Sequence, residues 1–110
     1  MTQPCLPFDK TIADAFEQFH RDNPKVYIVL IRLAREWITR TGRHKVGISA
    51  LFERTRWEIA ITTNDPEFKL NNNYRAYYAR LMMAEHPDLA DLFQLRSSEA
   101  DAWIAERIAS

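Results

Sequence analysis

The stretch from Asn23 to Gly42 has one regular solution, and the rest of the chain must accommodate it. Asn is a favoured helix cap, Pro suits the first helical position and Gly closes helices in the left-handed conformation, so these residues bracket a predicted helix over 24–41. Its first half, Val26-Tyr27-Ile28-Val29-Leu30-Ile31, continues into Leu33, Ala34, Trp37 and Ile38, covering far more than one stripe. A helix apolar nearly all round belongs inside, so this one is expected to be a buried spine. Arg32, Arg35, Glu36 and Arg40 supply its polar side. The apolar run ends at Arg32 and is far shorter than the roughly twenty residues of a membrane span, so no membrane partner is expected.

Shorter elements flank the spine. Thr11 with Asp14 resembles a capping box in which Asp replaces Glu, and Ile12, Phe16 and Phe19 recur at helical spacing up to His20-Arg21. Residues 43–47 are too short and polar for a helix and read as a connection or a strand at 44–46. Ser49 is the expected cap of a helix over 50–61, with Leu51, Phe52, Thr55 and Ile59 on one side and Arg54 paired to Glu58 four residues on. Its β-branched tail, Ile59 to Thr63, weakens the helical preference. After the Asn64-Asp65-Pro66 turn, Phe68-Lys69-Leu70 alternates as a second short strand would.

Asn71-Asn72-Asn73 precedes a helix over 73–85 bearing Tyr74, Tyr77, Tyr78, Leu81, Met82 and Met83, which breaks at His86 because helix is disfavoured before Pro87. One more turn is expected from Asp88 to Leu92, then a third strand at 93–96. Ser98 with Asp101 repeats the capping pattern and opens an amphipathic helix over 99–108. The expected fold class is thus mainly α: one small helical domain over 1–110, helix-turn-helix or winged-helix-like, with up to three very short strands and a frayed N-terminus over 1–8.

With 110 residues, 46% of them apolar, and thirteen aromatic side chains, one core is expected to form without a disulfide or structural metal. The lone Cys5 allows no intramolecular bridge, which fits a cytoplasmic setting. His20, His44 and His86 are too far apart in sequence to place two imidazoles on one helical face, so no metal is expected, and the helix dipole accounts for His20. Ser49, Ser97 and Ser98 are explained by capping. Asp88 with Asp91, and Glu99 with Asp101 and Glu106, read as solvated faces rather than acid/base pairs. No catalytic residue and no cofactor is assigned, and the expectation is a binding protein rather than an enzyme.

Net charge is zero but unevenly laid out. Residues 1–24 hold two basic and four acidic side chains, residues 25–80 eleven and five, and residues 81–110 two and six. A binding face responds to local field, so a middle segment at +6 between acidic ends keeps nucleic acid in view despite the neutral total. Clustered signs on a solvated helical surface would give the same layout.

Within that middle lies the best functional candidate, Ile48 to Arg80. Three asparagines followed by Tyr74 and Arg75 at a helix N-terminus combine backbone N–H groups suited to phosphate with side chains able to read base edges. Capping by Asn and a Tyr/Leu/Met core stripe explain part of the same pattern. The string Phe68-Lys69-Leu70-Asn71-Asn72-Asn73-Tyr74, continuing through Tyr77-Tyr78-Ala79-Arg80-Leu81 to His86-Pro87-Asp88-Leu89 and Phe93, resembles short uncharacterised phage and prophage proteins of this size. The similarity extends back through Arg56-Trp57 and Ile48. It implies a phage or prophage setting and an intracellular, host-facing role, and it carries over no catalytic residue.

Two functions follow as expectations. In the first, a small regulatory protein binds duplex DNA, with Lys69, Asn71, Asn72, Asn73, Arg75 and Arg80 near bases or phosphates and Arg43, Lys45, Arg54 and Arg56 as secondary phosphate contacts. In the second, a phage-encoded host-interaction or anti-defence protein binds and inhibits a host protein or nucleoprotein and has no DNA site of its own. One reading helix spans few base pairs, so a homodimer through Trp103, Ile104 and Ile108 is also expected. The same stripe would equally close the monomer's core.

Overall fold

The structure, a computed structural model, describes residues 11–110. The expected frayed N-terminus and Cys5 lie outside them. Five α-helices form among the described residues: α1 (Ile12–Asp22), α2 (Pro24–Thr41), α3 (Ile48–Thr62), α4 (Arg75–Glu85) and α5 (Glu99–Ala109). Single 3₁₀ turns at Asn72–Tyr74 and Pro87–Leu89 flank α4.

Local chemistry sets most of the boundaries. Thr11 Oγ1 accepts from the Asp14 N–H at 3.1 Å. Gly42 takes φ +71° and its N–H reaches the Ile38 carbonyl, closing α2 where the sequence predicts. Ser98 Oγ accepts from the Ala100 N–H at 3.0 Å while the Asp101 carboxylate accepts from the Ser98 N–H at 2.9 Å, so the capping box of α5 is complete. α3 departs from expectation: it starts at Ile48 on the backbone of Gly47, and Ser49 accepts instead from Arg75. Its β-branched end holds through Thr62, whose hydroxyl donates to the Glu58 carbonyl at 2.9 Å. α4 begins two residues late because Asn71 Oδ1 accepts from the Asn73 N–H and shapes the tighter turn first. The turn expected over 88–92 is the one at Pro87–Leu89.

The strands at 44–46, 68–70 and 93–96 do not form, and the described residues contain no strand, so there is no wing. Alternation there reports burial without pairing. Phe68 and Leu70 turn inward around an exposed Lys69, and Phe93 and Leu95 do so around Gln94. Among the described residues one backbone bond, Val46 N–H to the Leu92 carbonyl at 3.1 Å, ties the first segment to the residue before the third. A sheet needs a ladder of such bonds.

The spine is also not the helix expected. α4 is central: Tyr77 to Met82 are all buried, and it packs against both α3 and α5. α2 lies on the outside and leaves Ile28 65% exposed. An arginine within α4 hides this in the sequence. Arg80 is buried because Asp101 of α5 meets its Nε at 2.7 Å.

Aromatic rings fill the space between helices. Phe16 of α1 meets Tyr78 edge-on with centroids 4.7 Å apart, and also Tyr77 at 5.4 Å and Trp103 at 5.3 Å. Tyr78 in turn touches Tyr27 of α2 and Phe52 of α3. The stripe expected to dimerise therefore closes the core. Trp103 and Ile104 are half-buried, and Trp103 Nε1 donates to Glu17 at 2.7 Å; Ile108 alone stays out, 68% exposed.

Three surface readings change as well. Glu58 pairs with Arg32 of α2 at 2.9 Å rather than with Arg54, and Arg35 grips Asp88 through both carboxylate oxygens. Asp88 and Asp101 are thus bound carboxylates, not merely solvated ones. His20 stacks on Phe16, and its pKa is lowered by burial and then by Arg107, against the rise a helix C-terminus would cause. No helix among the described residues is long and apolar enough to cross a membrane.

Tyr78 is fully buried, and its hydroxyl has no hydrogen-bond partner among the described residues. Tyr78→Phe removes an unsatisfied polar group with little change of shape, so it should stabilise the fold by about 1 kcal/mol. Urea unfolding monitored by circular dichroism measures this, and destabilisation would show that the hydroxyl is bonded.

Candidate nucleic-acid interface

Three helix starts converge on one side of the molecule. The first turn of α3 brings Ile48 and Ser49, the turn before α4 brings Asn72, Asn73 and Arg75, and the strap from Gln94 to Ser98 leads into α5. Between them is a groove of about 640 Å³ with Arg80 at its base. Among the described residues its lining holds three arginines, Arg75, Arg80 and Arg96, and no carboxylate.

Helix N-termini carry unsatisfied N–H groups and the positive end of the macrodipole, so such a groove favours anions. The three ends contribute unequally. α3 has no side-chain cap; the Gly47 carbonyl takes the Ala50 N–H at 3.1 Å, which leaves those of Ile48 and Ser49 without a partner among the described residues. At the turn before α4, the Asn71 side chain serves the Asn73 N–H. At α5 the capping box is closed, and Asp101 offsets part of the positive field there.

The arginines have distinct roles. Arg75 joins two walls: its Nη1 donates to Ser49 Oγ at 2.9 Å and its Nε to the Asn72 carbonyl at 3.1 Å. Arg80 is only 6% exposed and each of its guanidinium nitrogens has a partner, with Nε on Asp101, Nη1 on the Ala76 carbonyl at 3.0 Å and Nη2 on the Arg96 carbonyl at 2.7 Å. The side chain expected to touch phosphate is therefore the groove's support. Arg96 is exposed, and its side chain makes no ion pair among the described residues.

The other expected contacts separate. Asn72 Oδ1 accepts from Arg56 Nη2 at 2.7 Å, and Arg56 also holds the Leu70 carbonyl and Glu53. With Asn71 capping and Asn72 bound, the asparagine whose amide stays open to a ligand is Asn73. Lys69 is exposed on the loop leading into the groove. Arg43, Lys45 and Arg54 lie elsewhere: Arg43 is exposed just past the end of α2, Lys45 Nζ donates to the Asp91 carbonyl at 2.7 Å, and Arg54 covers the Trp57 ring at 5.0 Å. α3 and α4 do not form a tight helix-turn-helix, because residues 63–71 intervene where that motif has a turn of three or four residues.

Sequence reasoning missed Arg96, Ser97 and the groove role of Ser49. The signal was present in Arg96-Ser97-Ser98, a cation beside a helix cap, but it was absorbed by the strand and cap readings. No group of His, Cys, Asp and Glu among the described residues is arranged to hold a metal ion. In comparisons with protein families, with curated proteins and with solved structures, nothing matches the chain.

Arg80 and Asp101 make the groove testable through stability. Arg80, and then the Ser98 N–H, hold the Asp101 carboxyl below the usual carboxylate range. A lowered folded-state pKa adds stability that is present above the unfolded value of about 3.9 and lost as pH falls through the folded one. Asp101→Asn should therefore flatten the acid limb of a plot of urea midpoint against pH, and an unchanged limb would remove the pair from the account. Arg80→Met should cost about 2–3 kcal/mol by stranding charged and carbonyl partners, read from the same unfolding curves at neutral pH.

Proposed function

We propose that this protein binds nucleic acid, duplex DNA in the first instance, by seating backbone phosphates in the groove among α3, α4 and α5. The observation that carries this reading is a groove whose polar lining is arginine, asparagine, glutamine and serine, with no carboxylate among the described residues, at the N-terminus of α3, which has no side-chain cap. Arg75 and Arg96 supply charge at its walls and Lys69 supplies it on the approach. Asn73 is the side chain placed to meet a base edge, since a free carboxamide can pair with adenine. Arg80 acts from beneath by holding the strap. A regulator in a phage or prophage setting is the role this reading suits. Contacts of this kind position a protein along the duplex, and the few base-reading groups imply modest sequence preference.

Three phosphate contacts imply that log affinity falls with log salt at a slope of about −3. Gel-shift titrations on a short duplex at several salt concentrations should give that slope, and Arg75→Ala or Arg96→Ala should each reduce its size by about 1. Asn73→Ala should leave the slope alone and narrow the difference between duplex sequences. Absence of any shift at low salt would overturn the reading.

A further inference from the structure

A second surface is independent of the groove. α2 and α3 run antiparallel, with Arg32 facing Glu58 near one end, and they leave a cleft of about 320 Å³ toward the other. Leu33, Trp37, Val46, Ala50 and Leu51 line it, with Arg40 and Arg54 at its rim. Next to Arg54 on the outer side of α3, Trp57 is 56% exposed and Ile61 60% exposed. Trp57, Ala60 and Ile61 thus make much of the outward side of α3 apolar where a helix of a lone globule is usually polar, beside Arg54 and a Glu53 that Arg56 neutralises. An exposed tryptophan continuous with an apolar cleft is the composition of an interface centre.

Charge chooses the occupant. The one carboxylate in the cleft lining, Glu36, already lies between Arg32 at 3.7 Å and Arg40 at 3.2 Å. Arg54 meets no carboxylate among the described residues and stacks on Trp57. An apolar channel with a surplus of cations at its rim complements a helix bearing one apolar face and acidic flanks. At the low end of ligand-sized cavities, the cleft takes a row of side chains rather than a whole small molecule.

We infer that the α2–α3 cleft, extended by Trp57, docks an acidic amphipathic helix of a partner protein. The chain would then hold a protein on one flank of α3 and nucleic acid on the other. Docking is the helix-in-groove mode: apolar side chains one turn apart enter beside Trp37 and Leu33 while acidic ones meet Arg54 and Arg40.

The test uses the full chain and two fluorescein-labelled synthetic helical peptides. Both carry leucine along one face; one carries glutamate on the rest and the other lysine. Fluorescence anisotropy should give an affinity for the acidic peptide at least about tenfold above that for its lysine counterpart. Trp57→Ala should weaken the acidic peptide about tenfold or more, and Arg54→Glu should abolish the preference. Both side chains are exposed, so far-UV circular dichroism should be unchanged, and Arg40→Glu provides a second charge variant. Several outcomes overturn the inference. One is equal binding of the two peptides, and another is acidic-peptide binding that neither variant affects. A single-stranded oligonucleotide that displaces the peptide would make the surface a nucleic-acid platform. Self-association in sedimentation that Trp57→Ala removes would give the cleft to a second copy of this chain. Arg75→Ala, which tests the groove, should leave peptide binding intact.

Discussion

Everything in this domain depends on two aromatic rings that meet edge to face. Phe16 and Tyr78 are both fully buried, with centroids 4.7 Å apart. Through its other contacts Phe16 joins α1 to α4 and α5, while Tyr78 joins α4 to α2 and α3. One contact therefore links all five helices. Aromatic pairs add directional preference to the area they bury, so sliding α1 along α4 would break geometry as well as contact. His20 belongs to the same nest, stacked on Phe16 and edge-on to Tyr27 and Tyr78. Desolvation there favours the neutral imidazole, and Arg107 acts in the same direction. The histidine is a half-buried ring at the edge of the core, in which the charged imidazolium is disfavoured.

The central position of α4 rests on how its one charge is met. A buried guanidinium is costly unless its donors are used, and Arg80 directs them at a carboxylate and two carbonyls. Asp101 stays half in water, which lightens its own desolvation while it neutralises the arginine. The same contacts fix the strap, because the Arg96 carbonyl is held from below. Arg80 thus joins fold and groove: it closes α5 against α4 and keeps Arg96 opposite Arg75.

Most helix boundaries were legible in the sequence because they are local. Pro24, Gly42, His86-Pro87 and Ser98 with Asp101 act within a turn of themselves, and the structure follows each, whereas the Asn23 side chain makes no cap on α2 and donates instead to the Phe19 carbonyl of α1. Depth was not legible. The apolar count of α2 exceeds that of α4, yet α4 is inside, because a tertiary partner neutralises Arg80 and Ile28 is left out. The strands failed for a related reason: a residue that alternates in and out of a core reads like a strand until its ladder partners are known. At the groove, Asn72, Asn73 and Arg75 were found because they are contiguous. Arg96 and Ser49 come from segments far away in sequence, and no local spacing could bring them to the same walls.

α3 explains why the apolar excess sits where it does. Its inner side, Leu51, Phe52, Thr55 and Ile59, is buried, and a helix in a monomer needs no more than that. Trp57 and Ile61 lie outside this requirement and expose apolar surface at a continuing cost in solubility. Ser49 and Arg56, on another side of the helix, are tied to the groove through Arg75 and Asn72. The helix therefore separates a cationic, polar flank from an apolar one with arginines at its edge. These chemistries suit different ligands, since phosphate binding weakens with salt while apolar docking persists. A neutral chain can serve both only by segregating them: Glu36, Glu53, Glu58, Asp88 and Asp101 are paired to arginine, and among the described residues no acid lines the groove. The zero net charge is then a sum over faces that differ in sign and polarity, and the total says little about what any one face attracts.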